Sequence, residues 1–403
     1  MDRIYTQLIQ QHFKEEEAPM LFLAGPRQSG KTTCSEQIAT RYQHSLYLNW
    51  DEREHRKLIL AGSKAIAEKS KVDVLKEKKV LIIFDELHKY KSWKNFLKGF
   101  FDVYKHNVHV IVTGSSRLDI FRRGSDSLMG RYFLYRMHPL SLAECAGEVL
   151  PVAEIQSPKK IKDEMYLNLY QYGGYPQPYL KGNTAFSNRW QQLRTAQLVR
   201  EDIRDGTRIQ ELAQLEVLVE MLNSQGAQQL NYSRLANHIQ VSVDTIRRWM
   251  NTLSSFYYCF MVKPWHKNIA RSLIKEPKLF LWDWSLITEK GARFENFIAC
   301  HLLKAVHFWT DRGLGNYELF YIRTLEKEEV DFLVTKNKKP WFLVEAKFSG
   351  NVSLNPLLKH FQEVTGAEHA FQVAFDLPYV NKDCFKEKQP MIVPARTFLS
   401  QLI

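Results

Sequence analysis

The chain has 403 residues, of which 45% are hydrophobic and 25% are charged, as is typical of a globular protein with two or three domains. No apolar run approaches the roughly twenty residues that cross a bilayer, and the five cysteines lack the paired spacing of zinc sites or disulfide frameworks. We therefore expect a cytoplasmic protein with reduced thiols and no membrane partner. The net charge of +12 favours a polyanionic partner such as DNA.

A glycine-bounded loop follows the first predicted strand, the apolar run at residues 21–24, and leads into a helical segment. The loop consists of Gly25, Pro26, Arg27, Gln28, Ser29, Gly30, Lys31, Thr32 and Thr33. This is the G-x-x-x-x-G-K-[ST] pattern in its strand–loop–helix context, and the helix N-terminus adds partial positive charge. Lys31 can reach the terminal phosphates of ATP, and Thr32 offers a hydroxyl to Mg²⁺. These residues therefore predict an ATP–Mg²⁺ site.

Two carboxylates follow a later predicted strand. Ser45–Asn49 predicts a short second strand, and the apolar run Val80–Phe84 predicts a third that ends in Asp85 and Glu86. At the carboxyl edge of a parallel sheet, Asp85 can orient the Mg²⁺ shell, whereas Glu86 is suited to activate the attacking water as a general base. The spacing of about fifty residues from the glycine-rich loop favours this catalytic interpretation over a simple helix start.

A fourth apolar strand precedes a polar segment that is rich in arginine. It ends near Thr113 and Ser115, and either hydroxyl is a candidate sensor of the γ-phosphate in an ATPase with an added central strand. An arginine after this strand can neutralise charge on the transferring phosphoryl group, within the chain or across a subunit boundary. We favour Arg131 and keep Arg122 and Arg123 as alternatives. Action across a boundary would require a homo-oligomer.

The middle of the chain has the pattern of a helix-turn-helix followed by a wing. Tyr232–Ile239 predicts a short helix, Ser242 is suited to cap a second helix over Val243–Leu253, and a strand-like stretch follows. Arg247 and Arg248 on the second helix suit contact with a DNA major groove. Winged helices also serve as protein–protein or lid modules, so both interpretations stay open.

The last part of the chain contains a second group of chemically active residues. Residues 329–334 and 341–347 alternate like two strands joined by a turn. If they pair as a hairpin, Asp331 lies opposite Glu345, and Glu345 shares one sheet face with Lys347. Two carboxylates and a lysine on one face can hold Mg²⁺ through Asp331 and Glu345 and position water against a phosphodiester.

These motifs together resemble the AAA-like P-loop ATPases of bacteria and archaea. More closely, the chain resembles prokaryotic ATP-binding proteins that pair such a domain with a C-terminal domain of uncharacterised function. The segments that carry the resemblance are Gly25–Thr33, Phe84–Lys89, Thr113–Arg117, Gly130–Tyr132, Gly173–Pro176, Leu281–Trp284 and Gly291–Asn296. The C-terminal hairpin resembles the restriction-endonuclease-like core, in which a preceding helix often supplies a further glutamate. Glu295 matches that place, which completes a set of four catalytic candidates with Asp331, Glu345 and Lys347.

The resemblance implies an α/β fold: a P-loop ATPase sheet with an added central strand, then a helical and winged-helix region and a nuclease-like α/β domain. We expect an AAA-like ATPase domain at residues 1–145, a helical lid or linker at 146–228, a winged helix at 229–285 and a restriction-endonuclease-like domain at 286–403. The leading hypothesis is Mg²⁺-dependent ATP hydrolysis coupled to DNA binding or processing by the C-terminal domain. The alternative is a nucleotide-dependent switch that controls a protein partner and whose C-terminal domain binds without cutting.

Overall fold

The computed structural model describes residues 3–15, 17–72, 78–114, 128–147, 149–207, 209–266, 276–351 and 353–403. Their contacts divide the chain into two compact units, Met1–His138 and Pro139–Ile403. The first of the domain boundaries that we expected, after residue 145, lies a few residues beyond this division. In the part of the chain that the structure describes, no helix is long and apolar enough to cross a membrane.

The N-terminal unit is built on a five-stranded parallel sheet. Its strands are β1 (Met20–Ala24), β2 (Ser45–Asn49), β3 (Val80–Asp85), β4 (Val108–Gly114) and β5 (Tyr132–Arg136). Its helices are α1 (Ile4–His12), α2 (Lys31–Ala39), α3 (Arg53–Leu60), α4 (Ser63–Ser70) and α5 (Trp93–Tyr104), and a 3₁₀ turn covers Leu87–Lys89. β1, β3 and β4 are buried along their whole length. Burial on both faces explains why the sequence shows these strands as continuous apolar runs.

The strand order brings the ends of β1, β3 and β4 to one edge of the sheet. The order is β2-β3-β4-β1-β5, with every neighbouring pair parallel. β4 therefore lies between β1 and β3, which confirms the predicted α/β class with its added central strand. Thr113 on β4 lies beside Leu23 of β1 and beside Asp85 of β3. Open α/β sheets bind their ligands at this carboxyl edge, so the register positions the predicted site.

The residue directly after β1 has no room for a side chain. A Cβ atom on Gly25 would lie 2.1 Å from the carbonyl oxygen of Met137. The backbone of Met137 is held there because its N–H donates to the carbonyl oxygen of Ala24 over 2.7 Å. The chain after β5 thus runs directly beside the start of the glycine-bounded loop. Only glycine fits at position 25 without a shift of this backbone.

The C-terminal unit combines a helical part with a mixed sheet. Its helices are α6 (Leu142–Cys145), α7 (Asp163–Tyr172), α8 (Pro176–Lys181), α9 (Thr184–Gln197), α10 (Arg204–Gly206), α11 (Leu212–Ser224), α12 (Tyr232–Ile239), α13 (Val243–Ser255), α14 (Lys290–Asp311), α15 (Pro356–Thr365) and α16 (Ala395–Ser400). Its strands are β6 (Cys259–Pro264), β7 (Lys278–Leu281), β8 (Tyr317–Arg323), β9 (Glu329–Lys336), β10 (Lys339–Lys347), β11 (His369–Ala374) and β12 (Met391–Pro394). A π-helical stretch, Leu198–Ile203, continues α9, and 3₁₀ turns cover Trp284–Leu286 and Cys384–Lys386.

The seven strands form one sheet in the order β12-β11-β10-β9-β8-β6-β7. β9 and β10 are the hairpin that the alternation predicts, with Val344 opposite Phe332. β6 pairs in parallel with β8 through Lys263 and Pro264. The two strands that follow the helix-turn-helix pattern therefore belong to the same sheet as the hairpin. The division into two compact units lies at residue 138, and the boundary that we expected at residue 285 stays a prediction.

β7 packs between the helical part and the mixed sheet of the C-terminal unit, because both of its faces are buried. Leu279 and Leu281 lie in an apolar core with residues of the π-helical stretch, α11, α12 and α13. The intervening Phe280 contacts Phe332 of β9, with the ring centroids 5.5 Å apart. A short strand with apolar side chains on both faces cannot serve as a solvated wing, so it packs between the helices and the sheet.

We predict opposite effects for two glycine-to-alanine substitutions in the N-terminal unit. Gly25→Ala should lower the free energy of unfolding by about 1–3 kcal/mol, because the new methyl group overlaps the Met137 carbonyl. Gly99→Ala, on the exposed face of α5 with open space around it, should raise it by about 0.5–1 kcal/mol. Chemical denaturation without nucleotide measures both changes. Equal stability of the two variants would contradict the close approach at Gly25.

Candidate functional site

The glycine-bounded loop turns through left-handed backbone and ends in a helix. Gly30, with φ +100°, caps the helix α2, which begins at Lys31. Gln28 also has a positive φ, +63°. Ser29 is buried, and its hydroxyl oxygen has no hydrogen-bond partner among the described residues. The first N–H groups of α2 thus open towards the carboxyl edge of the sheet, as a phosphate site requires.

The ammonium group of Lys31 lies folded back onto its own loop. It donates to the carbonyl oxygens of Gly25 and Pro26 over 2.8 and 2.7 Å. Burial lowers the pKa of Lys31 to about 8, although the carboxylates of Glu86 and Asp85 act in the opposite direction. The two carbonyl groups therefore hold a cation whose charge is only partly compensated, which is the arrangement that a phosphate would complete.

The carboxylate of Asp85 joins the loop to the neighbouring strands. Its Oδ2 atom accepts hydrogen bonds from the Thr32 hydroxyl over 3.3 Å and from the Tyr47 hydroxyl over 2.5 Å. Its Oδ1 atom accepts a hydrogen bond from the hydroxyl of Thr113. Thr113, one of the two sensor candidates, is thus in direct contact with the predicted magnesium residue. Tyr47 escaped the sequence analysis because a tyrosine within a short strand carries no motif.

Glu86 directly follows β3 in a left-handed conformation, with φ +54°. This turn directs its carboxylate away from the sheet core, and its side chain is 14% exposed. The Oε2 atom lies 3.7 Å from the His88 ring and 3.6 Å from the Lys89 ammonium, but it has no hydrogen-bond partner in the described part of the chain. A carboxylate oxygen without a hydrogen bond, directly after the strand, is a candidate proton acceptor.

The remaining residues of the loop differ in their surroundings. Arg27, Gln28 and Thr33 are exposed, whereas Pro26 is buried. Arg3, at the start of α1, is buried and donates to the carbonyl oxygens of Ser29 and His138. This arginine was not predicted, because nothing in the sequence links the N-terminal segment to the loop. It links the loop backbone to the segment that follows β5.

The donor set of this site fits Mg²⁺ and a nucleotide triphosphate. Thr32 and Asp85 would hold the metal ion, which usually keeps several waters and takes its other ligands from substrate phosphates. Lys31 and the N–H groups of the loop would contact the phosphates. The oxygens of Ser29 and Glu86 that lack a hydrogen bond among the described residues are consistent with a polar ligand at this edge.

The structure does not bring Arg131 to this site within one chain. Its carbonyl oxygen accepts a hydrogen bond from the N–H of Met20, the first residue of β1. The glycine-bounded loop follows the other end of β1, roughly 16 Å away at the usual rise of a strand. The Arg131 guanidinium also pairs with Asp102, with Nε 2.7 Å from Oδ1. A role in phosphoryl transfer would therefore require a second subunit.

Three other candidates, Ser115, Arg122 and Arg123, lie outside the described residues.

The C-terminal unit brings two of the predicted carboxylates, Glu295 and Asp331, into contact with a lysine that carries no sequence motif. Glu295 extends from α14, and Asp331 and Glu345 extend from the neighbouring strands β9 and β10. The N–H of Ala346 donates to Asp331 Oδ2 over 2.9 Å, as the predicted register requires. The ammonium of Lys278, on β7, lies 2.8 Å from Glu295 Oε1 and 3.4 Å from Asp331 Oδ1.

Glu329 enlarges this group of charges, and Lys347 borders it. The Lys278 ammonium also pairs with Glu329, which in turn contacts Arg323 over 2.9 Å. Lys347 pairs with Glu345 over 2.7 Å. Burial, with the nearby charge of Asp331, raises the pKa of both Glu295 and Glu345, that of Glu295 to about 8. For Lys278, the carboxylates outweigh the effect of burial and raise its pKa.

This second group of carboxylates does not fit a divalent metal as arranged. Among the described residues, no group of three or more His, Cys, Asp and Glu side chains is placed to hold a metal ion. Asp331 and Glu345, the predicted ligands, direct oxygen atoms at Ala346, Lys278, Lys347 and Asn355 instead. The predicted residues are therefore assembled, but in a salt-bridged form.

Both helices of the predicted helix-turn-helix are present, as α12 and α13. Ser242 caps α13 by accepting a hydrogen bond from the N–H of Thr245 over 3.1 Å. One face of α13 is buried and consists of Ile246, Trp249, Met250 and Leu253. The opposite face is exposed at helical spacing and consists of Asp244, Arg247, Arg248 and Asn251. The two arginines thus point to solvent from a helix that the core holds in place.

Three family models match successive parts of the chain. Residues 17–146 match an AAA domain. Residues 163–291 match a domain of unknown function (DUF8612), and residues 290–382 match another (DUF4143). The N-terminal match indicates a nucleotide-binding domain of the ATPase type, in agreement with the site at the carboxyl edge of the sheet.

Similar sequences extend over both units. An uncharacterised protein of Haemophilus influenzae is 23% identical over 354 residues, which cover 82% of each chain. An uncharacterised protein of Mycobacterium tuberculosis is 23% identical over 345 residues, which cover 80% of this chain and 69% of the relative. Among solved structures, Trip13 of Rhizobiales matches 32% of this chain and 48% of its own length at 21% identity, with a TM-score of 0.22. PCH-2 of C. elegans matches 61% of this chain and 65% of its own at 16% identity, with a TM-score of 0.23.

We predict that binding of ATP takes up protons near pH 8. In the free protein the pKa of Lys31 is about 8, below its ordinary value of 10.5, and phosphate charges should raise it. About half a proton per chain is then taken up at pH 8, and affinity falls as the pH rises above that value. Calorimetry in two buffers of different ionisation enthalpy measures the uptake. Lys31→Arg, which stays charged, should bind without it, and an absence of uptake in the parent protein would contradict the prediction.

Proposed function

We propose that the N-terminal unit binds ATP with Mg²⁺ and hydrolyses it. The observation that carries this proposal is the Asp85 carboxylate, which contacts Thr32 of the glycine-bounded loop and Thr113 of the central strand. The match to an AAA domain supports the same class of activity. No other set of polar side chains in the described N-terminal unit combines a loop lysine, a hydroxyl and two adjacent carboxylates at one sheet edge.

In this proposal each residue of the N-terminal site has a separate task. Lys31 releases the carbonyls of Gly25 and Pro26 and donates to the terminal phosphates. Asp85, held by the hydroxyls of Tyr47 and Thr113, orients the metal shell. Glu86 accepts the proton of the attacking water at the carboxylate oxygen that makes no hydrogen bond within the described structure. Mg²⁺, when bound, supplies neutralisation of phosphate charge.

We predict that Glu86→Gln separates binding from hydrolysis. The amide cannot accept the proton, so kcat should fall by about 10²–10⁴-fold, while the Kd for ATP stays close to that of the parent. Lys31→Ala should instead abolish binding. Glu54→Gln is the matched control, because Glu54 is an exposed residue paired only with Lys57 over 2.8 Å in the described structure.

Steady-state phosphate release and ATP titrations on the folded variants distinguish these outcomes. Turnover by Glu86→Gln at the parent rate would remove Glu86 from the mechanism.

We further propose that the segment around α12 and α13 contacts nucleic acid. Residues 229–285 contain eight Lys and Arg against three Asp and Glu, whereas residues 286–403 contain fifteen against fourteen. Residues 229–285 thus have a net charge of +5, to which α12 and α13 contribute Arg234, Arg247 and Arg248 against Asp244, whereas the rest of the chain after them is nearly neutral. Arg247 and Arg248 lie on the exposed face of α13. A capped helix that presents arginines to solvent suits insertion into a major groove.

We predict that Arg247→Ala/Arg248→Ala weakens binding to a short DNA duplex and makes the binding less dependent on salt. Loss of two phosphate contacts should lower the slope of log K against log salt concentration by about two. Lys386→Ala/Lys388→Ala removes the same charge from another exposed surface and should leave the slope unchanged. Fluorescence anisotropy over a salt series measures both slopes. Equal losses in the two double variants would show non-specific attraction only.

A further inference from the structure

The lysine in the C-terminal group of carboxylates takes the place in which a divalent metal ion would have to lie. Lys278 is 4% exposed, and its ammonium contacts Glu295, Glu329 and Asp331, which come from one helix and one strand of the nuclease-like part. An ammonium group has three N–H donors and no acceptor. Three carboxylate contacts therefore use all of its hydrogen-bonding capacity. The sequence pattern alone assigned these oxygen atoms to Mg²⁺.

The oxygens of Asp331 are both engaged. Oδ1 faces the Lys278 ammonium over 3.4 Å, and Oδ2 accepts from the N–H of Ala346 over 2.9 Å. Glu345 Oε1 is likewise held by Lys347 over 2.7 Å and by the side-chain amide of Asn355 over 3.2 Å. A hard cation such as Mg²⁺ needs oxygen ligands in near-octahedral positions. In this arrangement it would have to displace a cation that is covalently part of the chain.

With all of its members ionised, the group has a net charge of only −1 without a metal ion. Four carboxylates, those of Glu295, Glu329, Asp331 and Glu345, face three cations, those of Lys278, Arg323 and Lys347. A bound divalent ion would add two positive charges next to a buried ammonium, where like charges repel strongly because screening is weak. The same group without Lys278 would hold four carboxylates against two cations and would attract a divalent ion.

One oxygen atom in the group is still without a hydrogen bond. Glu345 Oε2 is buried and has no partner among the described residues, and Glu345 as a whole is 5% exposed. This atom belongs to the residue that the pattern assigns as a metal ligand. Buried oxygens normally have a hydrogen-bond partner. The lysine side chains present in the group therefore leave one carboxylate oxygen unsatisfied in the described structure.

We propose that Lys278 is the resident cation of this group and that it keeps divalent metal ions out. The C-terminal sheet then holds a latent metal site, which is exposed only when the Lys278 side chain is removed or withdrawn. In the form that the structure describes, the unit binds partners without metal-dependent cleavage of phosphodiesters. This inference is independent of ATP hydrolysis, because every residue that it uses lies in the C-terminal unit.

The test is a titration of Mn²⁺ into the 403-residue chain without nucleotide. Isothermal titration calorimetry measures the binding. The parent and its Asp331→Asn variant should give the same isotherm, because Asp331 binds no metal while Lys278 is present. Lys278→Met should gain one Mn²⁺ site, at least about tenfold tighter than any site in the parent, and a further Asp331→Asn change should remove it. Lys278→Arg, which keeps the charge, should gain no site.

Two results would overturn the proposal. One is Mn²⁺ binding by the parent that Asp331→Asn abolishes, or plasmid cleavage by the parent in Mg²⁺ or Mn²⁺ that the same change abolishes. The other is a Lys278→Met protein that unfolds at the parent temperature and gains no site. Because loss of a buried lysine can prevent folding, Lys278→Gln serves as a second variant, and the comparison of the parent with Asp331→Asn decides the question without either. Failure of ATP hydrolysis in the N-terminal unit would leave this comparison unaffected.

Discussion

A single carboxylate holds the N-terminal site together. Asp85 ends the buried strand β3 and accepts hydrogen bonds from Thr32, Tyr47 and Thr113, which belong to the glycine-bounded loop and to the two strands beside β3. These contacts are possible because all the strands run parallel, so that their carboxyl ends meet. Lys31 and Glu86 lie at the same edge, where the charge of Glu86 acts on the Lys31 ammonium. Without the Asp85 carboxylate, three hydroxyl groups at this edge would lose their common acceptor.

The buried lysine of the C-terminal unit has different neighbours from the lysine of the N-terminal site. In the N-terminal site, Lys31 has a lowered pKa and contacts carbonyl oxygens in its loop. A move to a phosphate would give its ammonium a negatively charged partner. In the C-terminal group, Lys278 has a raised pKa and is surrounded by carboxylates. Its ammonium therefore already has negatively charged partners. Lys31 can therefore exchange its carbonyl partners for a phosphate, whereas Lys278 is held by its ion pairs. This contrast favours a contact with phosphate at Lys31 and a structural role for Lys278.

Much of the N-terminal site could be predicted from the sequence because its chemistry demands fixed residue types at fixed spacing. The hairpin of β9 and β10 was equally predictable, since alternation sets which side chains share a face. The role of Lys278 could not be predicted, because this residue is 53 positions away from Asp331 along the chain and belongs to no motif. The position of Arg131 could have been anticipated. A residue directly before a strand parallel to β1 must lie at the amino edge of the sheet, away from the phosphate loop.

The central claim is that the loop after β1 holds the phosphates of ATP, and a crystal structure with Mg²⁺ and a non-hydrolysable ATP analogue tests it most directly. The account predicts that the Lys31 ammonium leaves the carbonyls of Gly25 and Pro26 for the terminal phosphates, and that the Thr32 hydroxyl turns from Asp85 to the metal ion. A structure at saturating nucleotide in which Lys31 still contacts both carbonyls, with no phosphate in the loop, would contradict it.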